Sequence, residues 1–223
     1  AFSKNYANDG YKLWLQYTYI KNETLRNTYK SQIKNLNPLG DSETIKVALN
    51  ELQLGLNGML GEIDSKKTTE IKEHVLIFGS KTHLAQDISI QLANEFNQIN
   101  DEGFIIKSIF LKGKKQIVIT GKTDIGVLYG VYHFLKLLQT NASIEKLNIV
   151  DSPKIKVRTL NHWDNLDRTV ERGYSGASIW DWHRLPEYID QRYIDYARAN
   201  ASIGINGTVL NNVNANALIL TPQ

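Results

Sequence analysis

The turn Asp151-Ser152-Pro153 constrains this chain most, because the segment beyond it begins a fold that it is too short to complete. The proline fixes φ and removes a backbone donor, so it ends the element before it. Beyond it, residues 155–160 (IKVRTL) alternate as a strand and 161–188 form a long polar loop. Residues 188–201 then carry a helical pattern, and 205–211 read as a second strand. Strand, loop, helix and strand make one βα unit of a barrel, whose ligand groups gather on the loops at the C-terminal strand ends. Leu220-Thr221-Pro222 reads as the start of a next helix. A closed (β/α)8 barrel takes roughly 250 residues, whereas about 70 lie beyond Pro153. The expectation is therefore a domain over residues 1–152, joined over 153–223 to the first one to two βα units of a truncated barrel.

The first domain reads as α+β. Residues 9–19 (DGYKLWLQYTY) predict a strand from their aromatic content, and 30–34 an extended or turn segment before an Asn37-Pro38 break. Ser42 and Glu43 open a helix over 43–59, weakened by Gly55 and Gly58. Residues 75–78 form a short apolar strand. Leu84, Ile88, Leu92 and Phe96 recur every four residues in a helix over 83–98. Strands at 103–111 and 116–120 make a hairpin, Thr123-Asp124 cap a helix reaching about residue 138, and 146–152 is extended. Strict βαβ alternation is missing, which predicts a sheet with helices packed on one face.

Composition narrows the function. A net charge of +3, from 26 basic and 23 acidic residues, argues against a nucleic-acid binder, which normally shows a concentrated basic face. Without cysteine there is no disulfide, thiol catalysis or thiolate metal site. The five histidines lack HxxxH or HxH spacing, so no metal is expected, and no apolar run approaches the length of a membrane helix. Gly121-Lys122-Thr123 lacks the rest of a phosphate-loop frame. The chain opens on Ala1. A removed signal peptide would make it periplasmic or extracellular, and a removed tag would leave it cytoplasmic, so the compartment stays open.

Residues 158–216 concentrate groups that bind sugars. Three of the four tryptophans (Trp163, Trp180, Trp182) lie within twenty residues, among Asp164, Asp167, Glu171, Arg172 and Asp181. Aromatic faces stack on the apolar faces of sugar rings, and carboxylates and amides bond the hydroxyls. The phrases NHWDNLD, VERGYSG, SIWDW, YARANASIGING and TVLNNVNA closely resemble the start of the barrel of family 67 glycoside hydrolases. The resemblance is looser from Asp9 onward.

That resemblance implies an α-glucuronidase acting on glucuronoxylan-derived oligosaccharides. It would hydrolyse the α-1,2 bond to (4-O-methyl)glucuronic acid with inversion, use no cofactor, and leave room for a homodimer of the full-length enzyme. The family's general acid and base match no position here, so no residue of this chain is assigned as catalytic and the isolated fragment is expected to be inactive. Trp163 matches the aromatic platform for the uronic acid ring; its other reading is a core tryptophan. Glu171 matches an active-site glutamate, or else braces the loop through Arg172 or Arg168. Arg172 suits a uronate carboxylate. The resemblance puts Val209 near the sugar's 4-position, and Asn211 and Asn212 at the strand's C-terminal end, where turn chemistry is the alternative. Two readings of another class stay open: a non-catalytic carbohydrate-binding module, which predicts sugar affinity in the isolated chain, and a purely structural domain.

Overall fold

The computed structural model describes residues 9–61, 66–67 and 72–210, and the chain divides into two compact units, Ala1–Pro153 and Lys154–Gln223. In chain order the first unit holds α1 (Glu23–Gln32), β1 (Asn35–Pro38), α2 (Glu43–Leu60), β2 (Lys66–Lys67), β3 (Val75–Ser80), α3 (Gln86–Gln91), α4 (Ala93–Phe96), β4 (Phe104–Leu111), β5 (Lys114–Gly121), α5 (Asp124–Gln139) and β6 (Asn148–Asp151). The strands form one six-stranded sheet in the order β2-β1-β3-β5-β4-β6. Strands β2, β1, β3 and β5 run parallel, and β4 is antiparallel to both β5 and β6.

Local chemistry explains the best-formed elements. Ser42 accepts from the Ile45 amide at the start of α2. The β4–β5 hairpin turns at Lys112-Gly113, both at positive φ, which is the two-residue geometry that matches strand twist. Thr123 precedes α5, but its hydroxyl donates to the Asp101 carbonyl instead of capping the helix.

The sheet corrects the expectation of helices on one face. Val75, Ile77, Ile105, Ile109 and Val118 point to one side, where Ile88, Leu92 and Phe96 of the α3–α4 region cover them. Helix α5 packs on the opposite side: a Cβ on Gly130 would stand 2.7 Å from Ile119 Cγ2 and 3.2 Å from Phe104 Cβ. Strand β3 lies inside the sheet and is buried along its whole length, hence it is apolar apart from Gly79 and Ser80.

Three other expectations fail for identifiable reasons. Residues 9–19 are no strand; they hold a short 3₁₀ turn over Leu13–Gln16, with Leu13 and Tyr17 at positive φ. Trp14 packs edge-on to Tyr17 within the segment and to Tyr132 of α5. Residues 30–34 lie mostly in α1, capped by Asn22, and Asn37-Pro38 belongs to β1, where Leu36 is fully buried. The helix over 83–98 breaks at Leu92 (φ −107°, ψ 10°) into α3 and α4.

The second unit holds β7 (Thr159–Asn161), α6 (Gln191–Ser202) and β8 (Gly207–Val209). β7 and β8 pair in parallel, with Asn161 opposite Val209. Strand β7 starts later than residue 155, because side chains occupy the preceding backbone. Asn206 accepts from the Arg158 amide and donates to the Lys156 carbonyl, while the Arg158 guanidinium donates to the carbonyls of Ile155 and Gly204. Asp190 caps α6 by accepting from the Arg192 amide.

Candidate functional site

Strand β7 delivers Asn161, His162, Trp163 and Asp164 in succession from its C-terminal end. The His162 amide donates to the Val209 carbonyl at 2.8 Å, so the pairing continues one residue past β7 before the chain leaves the sheet. The loop then folds back on itself. Asp164 bridges to Val170, the Glu171 amide donates to the Trp163 carbonyl at 2.7 Å, and the Asn165 side chain donates to the Glu171 carbonyl at 2.7 Å and to Thr169 Oγ1 at 3.0 Å. Arg168 and Glu171 take the left-handed conformation that this reversal requires.

The result is a cleft of about 460 Å³ lined by Asn161, His162, Trp163, Asp164, Val170 and Glu171. Trp163 is 44% exposed, so its indole is not sealed in a core. The Glu171 carboxylate is held below the usual range, first by a hydrogen bond from Tyr174, then by one from Ser175, with a smaller contribution from the Arg172 charge. The same bond raises the Tyr174 hydroxyl. Asp167 is likewise lowered by the hydroxyl and amide of Thr169, the side chain acting as a local turn brace.

A packed aromatic wall supports the cleft. Trp180, 8% exposed, lies 4.9 Å from the Tyr193 ring and 5.4 Å from the Tyr196 ring of α6, and 5.9 Å from His162. His162 Nε2 and the Tyr196 hydroxyl are 2.6 Å apart, and that hydroxyl reaches Thr208 Oγ1 at 3.3 Å. The Asp181 amide donates to the Tyr193 hydroxyl, and Arg168 pairs with Asp181 at 3.2 Å. Arg168 is therefore not the brace for Glu171 that the sequence allowed.

Of the residues singled out in the sequence, the fold brings Trp163 and Glu171 together in one cleft. Arg172 is exposed and outside the cleft lining. Val209 is half-exposed and touches the site through its carbonyl, and Asn211 and Asn212 lie outside the described residues. Asn161, His162 and Val170 were not singled out in the sequence as ligand residues, whereas Asp164 stood there among the sugar-binding groups without an assigned role. The available signal was the position of Asn161-His162-Trp163-Asp164 at the end of the first barrel-type strand, where successive side chains must flank the platform. Among the described residues no group of three or more His, Asp or Glu could hold a metal ion, and no helix is long and apolar enough to cross a membrane. Chemically, the cleft offers a ring to stack on, carboxylates and an amide to bond hydroxyls, and open access.

Comparison with known proteins gives concordant matches over both units. Residues 13–134 match the glycosyl hydrolase family 67 N-terminus, and residues 137–223 match the family 67 middle domain. A protein of Neosartorya fischeri named "Probable alpha-glucuronidase A" is 33% identical over 218 residues, 97% of this chain. Proteins of the same name from Aspergillus oryzae and Aspergillus niger are 32% identical over 221 and 223 residues. The chain spans about a quarter of the length of these relatives, 25% in each case. Among solved structures, a family GH115 4-O-methyl-α-glucuronidase with specificity for decorated arabinogalactans shares the fold at a TM-score of 0.52, with 16% identity over 79% of this chain and 25% of its own. A GH138 enzyme targeting pectin rhamnogalacturonan II does so at 0.51, with 17% identity over 80% of this chain and 19% of its own.

Proposed function

The chain belongs to glycoside hydrolase family 67, and from that premise we propose that it forms the opening part of an α-glucuronidase acting on glucuronoxylan-derived oligosaccharides. The enzyme would cleave the α-1,2 bond between (4-O-methyl)glucuronic acid and xylose, with inversion. In this reading residues 1–152 are a non-catalytic supporting domain and 153–223 begin the (β/α)8 catalytic barrel. The parallel β7–α6–β8 arrangement supports it, since that is the repeating unit of such a barrel.

The observation that carries the reading is the half-exposed Trp163 at the C-terminal end of β7, over a cleft shared with Glu171. The indole stacks on the uronic acid ring and Glu171 accepts from its hydroxyls. Held charged by its neighbours, Glu171 is an acceptor at neutral pH and a poor proton donor. From the family resemblance we assign further sugar contacts to Val209, Asn211 and Asn212, and the uronate carboxylate to Arg172, which stands outside the cleft lining. Inversion requires two carboxyls roughly 6.5–9.5 Å apart, an acid for the leaving oxygen and a base for water. We assign neither to this chain, which alone should be inactive.

The test is to follow glucuronosyl xylotriose hydrolysis by the full-length enzyme with proton NMR. An inverting α-glucuronidase releases the β-anomer first. First release of the α-anomer, or no release of glucuronic acid, would overturn the reading.

A further inference from the structure

Asp164 stands apart from the other carboxylates of the loop. It is 4% exposed, yet it lines the open cleft between Trp163 and Glu171. Four others have partners: Asp167 has Thr169, Glu171 has Ser175 and Tyr174, Asp181 has Arg168, and Asp190 caps α6; Glu187 is exposed to solvent. Among the described residues the Asp164 carboxylate faces only His162 Nδ1, at 3.6 Å, which is beyond hydrogen-bond range. A carboxylate has about four acceptor positions, and a buried one demands that they be used. The imidazole is itself fixed by its bond to Tyr196, so at 3.6 Å it leaves the carboxylate's acceptor capacity unused.

We propose that Asp164 is a specificity-determining residue of this cleft, its oxygens accepting hydrogen bonds from hydroxyls of the sugar stacked on Trp163. The proposal rests on the glucuronidase reading and adds to it the group that senses a hydroxyl. A sugar lacking that hydroxyl leaves a buried carboxylate unpaired, which is the arrangement that rejects deoxy analogues most strongly.

The experiment is a cycle of variants and analogues in the full-length enzyme. kcat/KM is measured for glucuronosyl xylotriose and for its 2-, 3- and 4-deoxyglucuronosyl analogues, with wild type and Asp164→Asn. In wild type one analogue should lose about 10- to 100-fold, the range for a hydrogen bond to a charged group. Asp164→Asn should bring the parent substrate down by a similar factor and show little further loss with that analogue, while the other two keep their wild-type ratios. Equal ratios in both proteins for all three analogues would overturn the proposal. Failure of wild type to turn over any substrate refutes the glycosidase reading instead, and the same cycle is then read by ligand-observed NMR on this chain with methyl glucuronide and its deoxy forms. Asp164→Asn should melt at or above the wild-type temperature, because the free protein gains nothing from an unpaired buried charge. If Asp164→Asn and Asp164→Glu both fail to fold, the residue is structural and the proposal falls.

Discussion

Replacing Trp163 with alanine separates a platform from a core residue. A large aromatic side chain carries up to about 250 Å² of surface, and the 44% left exposed here amounts to about 110 Å². At about 25 cal/mol per Å², complete coverage by a sugar would contribute about 2.7 kcal/mol. One ring covers one face, so about half of that, roughly 1.4 kcal/mol, is the central expectation, or about tenfold in kcat/KM. The indole is also partly buried, so some loss of stability accompanies the change. Trp182 supplies the control. It lies just after the buried Trp180, deeper in the loop, and its Nε1 is buried with no partner among the described residues. Trp182→Ala should therefore lower the Tm while leaving kcat/KM within a few-fold of wild type. The assay is kcat/KM on glucuronosyl xylotriose in the full-length enzyme, paired with thermal melts. If Trp163→Ala keeps near-wild-type kcat/KM and melts early, the indole is a packing residue and the cleft is not the sugar site.

Gly58→Ala should destabilise the first unit by about 1–2 kcal/mol despite the better helix propensity of alanine, because its Cβ would meet the Tyr17 carbonyl oxygen at 2.7 Å and overpacking outweighs propensity; a raised Tm would contradict this. His133 is lowered from 6.5 by burial, with the Asp151 charge opposing and Lys136 reinforcing. A depressed histidine makes the unfolded state bind the proton first, so stability is full above pH 6.5 and falls as pH drops from there toward the folded pKa. Urea melts across that window should show the slope in wild type and a flatter one in His133→Phe; identical slopes would refute the assignment. Amide exchange should be slow at residues 117–119, in a buried strand paired on both sides, and faster at 159–161, in an exposed strand with one described partner; equal protection would contradict it.

The sequence disclosed those parts of the fold whose signals are local. The Ser42 cap, the Lys112-Gly113 turn and the apolar pattern of α5 each act within a few residues, and the corresponding elements stand near their expected bounds. Elements created by tertiary context were hidden. β1 reads NLNP, a polar run with a proline, and is a strand because β2 and β3 flank it and Leu36 fills the core. α1 is largely polar, and only its Asn22–Glu23 start marks it. The placement of helices on both faces depends on strand parity, which becomes visible only with the register. At the site, Trp163 and Glu171 stood out by residue type. Asp164 stood only as one carboxylate among several, because what sets it apart, burial beside a cleft with no hydrogen bond among the described residues, is a property of the folded loop.

The seating of the sugar at the end of β7 is tested most directly by titrating methyl α-glucuronide into the ¹⁵N-labelled chain. Saturable shifts are expected in the Trp163 indole and in the amides of His162, Asp164, Val170 and Glu171, with residues 75–80 and 114–121 unmoved. Shifts confined to the first unit, or none at Trp163 when other residues saturate, would contradict it.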